Sequence, residues 1–174
     1  MPVFAYYKKL SAVNKKIYKV SDGIHGIALP RSEGLHPLIP RIARALEQED
    51  REKVEMLCRK LAAGMTERLG VPPIRVKVLA VRPSASWGEL HGLYEPLEGR
   101  TLAVITLWMR TAKQKRVVAF KAFLRTLLHE LCHHLDYEHF KLRDSFHTEG
   151  FYKRESSLFH QLVPGAVRSG NKGT

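Results

Sequence analysis

The chain has 174 residues, 44% of them apolar and 26% charged, and its 29 basic and 17 acidic side chains leave a net charge of +12. That size and balance fit one compact α+β domain over residues 1–174, and argue against a disordered polyelectrolyte or a fold that needs disulfides. Cys58 and Cys132 form no CxxC pair, which argues against a zinc ribbon and for reduced thiols in a cytoplasmic protein. The apolar runs are too short for a bilayer span, and the stretch before Lys8 and Lys9 is too short for a signal peptide.

Residues 1–36 carry weak signals. Leu10 to Val20 suits a short helix or a strand, and Ser21-Asp22-Gly23 reads as a turn. A short helix is expected from Leu38 to Leu46, after Pro37. From Asp50 to Leu69 the apolar residues Val54, Leu57, Cys58, Leu61, Ala62, Met65 and Leu69 recur at helical spacing. Gly70 and Pro72-Pro73 stop that helix. The period then changes to two, and Ile74 to Val81 reads as a strand. Leu90 to Tyr94 and Thr101 to Met109 are two further strand candidates. The second of these is a candidate sheet edge beside the site described below, able to receive an extended peptide by strand addition. A long helix is expected from about Lys115 to Tyr137, with Val117, Phe120, Phe123, Leu124, Leu127, Leu128, Leu131 and Leu135 as its core stripe. Residues 138–147 read as irregular, Thr148 to Leu162 as a last helix ended by Pro164-Gly165, and the tail to Thr174 as disordered. The sheet is expected to be small, with three or four mostly antiparallel strands.

Charge is unevenly spread. Between Gly99 and His129 there is no acid, yet there are seven cations: Arg100, Arg110, Lys113, Lys115, Arg116, Lys121 and Arg125. Cations at a helix N-terminus oppose the macrodipole, so several of these hint at a polyanionic partner such as nucleic acid. The plainer reading is a solvated basic face.

Within the long helix stands His129-Glu130-Leu131-Cys132-His133, an HExxH sequence. On a helix, residues i and i+4 lie about 40° apart around the axis and about 6 Å along it, so both imidazoles reach one ion. This donor pair suits Zn²⁺, and Glu130 lies beside it to take a proton from water activated by the metal. A coincidental surface pair is the plain alternative. A catalytic zinc takes a third protein ligand. His147 is preferred, with Glu149 and Glu155 as alternatives. Asp136 is placed to receive a ligand histidine's free N–H. His134 points about 100° away from His133 and is assigned to the surface or to a supporting contact. Cys132 reads as a small buried residue. His25, His36, His91, His139 and His160 have no metal-like spacing. Tyr94, Tyr137 and Tyr152 are candidate donors to an oxyanion, with packing the simpler role for each.

Gly88-Glu89-Leu90-His91-Gly92-Leu93-Tyr94-Glu95-Pro96, the strand ending Ile105-Thr106-Leu107, and Leu124 through Leu135 with HELCH together resemble the SprT-like branch of zincin metalloproteases. The resemblance spans Trp87 to Leu162. It implies a zincin-like fold, with a small sheet before the HExxH helix and a downstream histidine as third ligand. His147-Thr148-Glu149-Gly150-Phe151 is similar in kind to the family's H-G-x-x-F segment but lacks glycine directly after histidine. The resemblance also implies zinc-dependent proteolysis of a protein or peptide substrate, whereas the C-terminal zinc ribbon of many members has no counterpart here. Two further expectations stand beside it: a nucleic-acid-associated protein, which includes a protease acting on DNA-bound proteins, and a non-catalytic zincin-like binding module.

Overall fold

The computed structural model describes residues 3–99 and 101–167. After a 3-10 turn at Ala5–Lys9, helix α1 (Ala12–Asp22) starts at Ser11, whose side chain accepts from the Asn14 amide. The ambiguous Leu10–Val20 stretch is thus a helix. Helices α2 (Leu38–Glu47) and α3 (Arg51–Leu69) follow as the periodicity predicts. Asp50 caps α3 through the Lys53 amide, and Gly70 closes it in the left-handed region at φ 66, where a side chain would be strained.

Strands β1 (Ile74–Val81), β4 (Gly92–Glu95) and β5 (Ala103–Arg110) form one sheet in the order β1-β5-β4. A two-stranded hairpin, β2 (Ser84–Ala85) with β3 (Gly88–Glu89), projects between β1 and β4. The sheet is mixed, where a mostly antiparallel one was expected. β1 runs parallel to β5, with Ile74 opposite Ala103 and Val81 opposite Arg110, and only β4 is antiparallel, with Gly92 opposite Leu107. The chain leaves β1, crosses to the far edge to make β4, and returns through the middle as β5. The expectation that the Thr101 to Met109 strand is an edge is therefore overturned, because β5 is paired on both sides. Its composition fits that position: Ala103, Ile105, Leu107 and Met109 are buried, and so are Thr106 and Trp108 between them. A strand covered on both faces reads as an apolar run without clean alternation. The free edge beside the HExxH helix belongs to β4.

Helix α4 (Phe120–Glu138) begins five residues later than the pattern predicted. Residues 111–119 form a turn instead. Lys115 sits at φ 51, Val117 bridges Arg110, and the Val118 amide donates to Met109. Lys113, Lys115 and Arg116 therefore lie on an exposed turn outside the helix, which removes most of the macrodipole argument made for them. Helix α5 (Glu149–Leu162) is capped by Thr148, whose hydroxyl accepts from the Phe151 amide, and a 3-10 turn at Pro164–Val167 follows. The tail after Val167 lies outside the described residues. One apolar core joins α2, α3, the sheet, α4 and α5. No helix among the described residues is long and apolar enough to cross a membrane.

Candidate metal centre

Helix α4 carries both faces of the problem on one cylinder. Leu124, Leu127, Leu128, Leu131 and Leu135 are buried in the core, which leaves His129 and His133 half-buried at the cleft one turn apart. The irregular segment between α4 and α5 folds back over them and brings His147 with it. The three Nε2 atoms converge: His147 stands 3.1 Å from His129 and 3.0 Å from His133. Three ligand atoms from these histidines lie within 4.8 Å of one another, and no other such group occurs among the described residues. Phe151, fully buried in the first turn of α5, packs against all three rings at 4.8–5.2 Å.

The outer nitrogens decide what this cluster is for. His129 Nδ1 lies 2.9 Å from Glu155 Oε1, and a carboxylate can only accept, so the proton is on Nδ1. His133 Nδ1 lies 2.7 Å from Ser145 Oγ, which itself donates to Asp136 Oδ2 at 2.7 Å. That ring too keeps its proton on Nδ1. Their Nε2 lone pairs then point at His147 Nε2, an arrangement satisfied either by a proton on that nitrogen or by a cation seated between the three rings. Zn–N bonds of about 2.0–2.1 Å in a tetrahedron put the nitrogens roughly 3.3–3.4 Å apart, close to the separations seen. The donor set fits a metal ion such as Zn²⁺. Burial holds the His133 imidazole down to about 3, with His129 and His147 adding to the effect, and burial lowers His147 in the same direction. Both shifts favour the neutral imidazole that metal binding requires.

The alternatives for the third ligand fall elsewhere. Glu155 orients His129 and lies 3.8 Å from the Arg125 guanidinium, and Glu149 pairs with Lys153 at 3.1 Å. Asp136 does hold a ligand histidine's tautomer, but through Ser145. His134 is fully buried, outside the three-histidine cluster: its Nδ1 meets the Tyr94 hydroxyl at 2.9 Å and its Nε2 donates to the Pro72 carbonyl at 2.9 Å. That ties β4 and the end of α3 to α4. Cys132 is buried as expected. His91, passed over for lack of spacing, lines the cleft beside Glu130.

Glu130 is 8% exposed and lies against Gly92 of β4. A Cβ at Gly92 would stand 2.9 Å from Glu130 Oε1 and 2.7 Å from Thr126 Cγ2. Glycine is needed there for the edge strand to approach the acid. Burial raises the Glu130 carboxyl above the usual range; His129 opposes that shift and Glu155 adds to it. Of the three tyrosines, Tyr94 is committed to His134, and Tyr137 donates to Asp144 at 3.4 Å. Tyr152 is 41% exposed, with its ring 5.9 Å from His147.

Behind the histidines runs a buried network. Asp136 and Arg154 are both fully buried and paired at 3.0 Å. Arg154 also donates to the Ser21 and Ile24 carbonyls at 2.6 and 2.7 Å, and Ser21 Oγ meets Thr148 Oγ1 at 3.1 Å. From the amino-terminal side, the Tyr6 hydroxyl donates to the His147 carbonyl at 2.7 Å. None of these partners is visible as a motif, because each lies more than a hundred residues from its contact or hides among ordinary polar residues.

Ser145→Ala is expected to weaken zinc binding about 10–100-fold, the usual effect of losing a group that orients a ligand histidine. Chelator-competition titration reads it. Unchanged affinity would mean that Ser145 does not hold the His133 ring.

Comparison of the chain with protein-family models, curated proteins and solved structures finds no match in any of the three.

Proposed function

We propose that this chain is a zincin-like, zinc-dependent metallopeptidase. The observation that carries the reading is the convergence of three imidazole Nε2 atoms, at 3.0 and 3.1 Å, beside a carboxylate that is not itself a ligand. A structural zinc site closes its fourth position with another ligand, whereas a catalytic one keeps it open for water. His129, His133 and His147 would hold the ion. When bound, zinc supplies a Lewis acid that polarises a carbonyl and brings a water's pKa toward neutrality. The protein supplies the rest. Glu130 removes a proton from the attacking water, whose oxygen bonds to the peptide carbonyl carbon. The C–N bond then breaks, and Glu130 returns the proton to the departing amine. Carboxylate and amine leave as products. The unpaired edge of β4 beside Glu130 supports docking of an extended chain by strand addition, the role first expected of β5.

The test is metal content together with turnover. Protein stripped with a chelator is expected to lose peptide hydrolysis and recover it with about one equivalent of Zn²⁺, while His147→Ala binds zinc far more weakly and stays inactive. Activity that survives complete metal removal would refute the reading.

A second reading can coexist with the first. The hairpin β2–β3 exposes Trp87 (64% exposed), and a cavity of about 590 Å³ separates that hairpin from the turn carrying Thr111, Lys113 and Gln114. An exposed aromatic ring on a hairpin whose neighbouring cavity is lined by Lys113 suits stacking on an unpaired base. Single-stranded DNA is expected to quench Trp87 fluorescence, with affinity falling steeply as salt rises. No binding at low salt ends this reading and leaves the first intact.

A further inference from the structure

The cleft divides at Glu130 into two parts of different chemistry. On one side is a hollow of about 350 Å³ lined by His91, Arg125, Thr126 and Glu155, all polar. On the other is a hollow of about 300 Å³ walled by Leu93, Tyr94, Pro96 and Tyr137, with Ser145 and His133, a member of the three-histidine cluster, also lining it. Three rings stand there, with Tyr94 nearly parallel to each of the other two. Tyr94 lies 6.2 Å from Tyr137 at 16°, and 6.2 Å from His133 at 19°. The Tyr94 hydroxyl is occupied by His134, so the ring serves as a wall. Leu93 is 38% exposed at the rim. Glu130 is the one carboxylate that lines this hollow. Ring walls with an aliphatic rim suit an aromatic side chain in offset-stacked or edge contact better than a strongly hydrated charged one.

Strand direction fixes which substrate residue enters. β4 runs from Gly92, beside Glu130, toward Glu95 and Pro96, beside the aromatic hollow. Antiparallel pairing is the more stable arrangement for an added strand. A peptide laid that way on β4 runs from Pro96 toward Gly92, so the residue in the hollow precedes the bond at Glu130.

The geometry points to a peptide substrate with an aromatic side chain on the residue whose carbonyl is attacked, seated in the hollow formed by Leu93, Tyr94, Pro96 and Tyr137. This rests on the peptidase reading above and names its substrate class.

The experiment uses the zinc-loaded full chain and two internally quenched peptides that differ only in carrying Phe or Ala at one central position. Fragment masses locate the cut. Cleavage is expected on the carboxyl side of Phe, with kcat/KM at least tenfold above the Ala peptide, and the ratio is expected to fall toward one in Leu93→Asp. Equal rates for the two peptides, or cuts on the amino side of Phe, overturn the proposal. A second arm needs no turnover. Phenylalanine hydroxamate and glycine hydroxamate both chelate zinc, and calorimetry is expected to show the former binding at least tenfold more tightly, with the difference lost in Leu93→Asp. Equal affinities overturn the aromatic hollow whatever the enzyme hydrolyses. Tighter aromatic binding without hydrolysis of any peptide would leave the hollow standing and sink the peptidase reading alone.

Discussion

Glu130→Gln is expected to keep its zinc and to lose about 10²–10⁴-fold in peptide hydrolysis, the usual contribution of a positioned general base. The substitution is close to isosteric, so the contact with Gly92 survives and the three histidines are untouched. What goes is the ability to accept a proton. Burial already raises this carboxyl, which moves a weak base toward the strength needed near neutral pH. The assay pairs metal analysis with kcat/KM on one peptide. If zinc is retained and the rate is unchanged, Glu130 has no role in proton transfer, and the water must lose its proton elsewhere.

The second large effect concerns stability. Arg154→Met leaves Asp136 buried without its counter-charge, and breaking such a pair typically costs about 3–5 kcal/mol. For a chain of this length that lowers the melting temperature by on the order of 10 °C. The Arg154→Met and Asp136→Leu double variant is expected to recover much of the loss, because two apolar groups need no partner. Recovery stays incomplete, since the Ser21 and Ile24 carbonyls also lose their donor. Zinc affinity separates the two roles of Asp136. In the double variant the fold returns, but Ser145 has lost its acceptor and His133 its fixed orientation, so zinc still binds more weakly than in the parent. Urea unfolding of the metal-free proteins and chelator competition measure the two quantities. A single Arg154→Met variant as stable as the parent would show that the ion pair contributes nothing net.

These two residues show what kind of information the sequence holds. Glu130 announces itself, because its relation to His129 and His133 is set by helical geometry over five residues. Arg154 looks like one of many cations. It meets Ser21 only because α5 packs on α1, at a separation of 133 residues. The same contrast runs through the sheet. Alternation predicts β1 well, with Ile74, Val76 and Val78 buried and Arg75 and Lys77 exposed. Nothing local in Thr101 to Met109 tells a central strand from an edge one. That was decided by β4 crossing to the far side of the sheet.

By itself, then, the sequence determined the α+β class, helices α2, α3 and α5, the HExxH pair on α4, and His147 as the preferred partner of that pair. Most of these rest on spacing within a few turns, and the preference for His147 over Glu149 and Glu155 on its place in the irregular segment after α4 and on the resemblance to SprT-like zincins. Tertiary structure alone decided that His147 folds back onto the pair, that Glu155 and Ser145 hold the ligand rings, and that Gly92 of an edge strand meets Glu130. Those contacts join segments from 12 to 38 residues apart. Side-chain periodicity encodes which face of an element is buried, but not which other element comes to cover it.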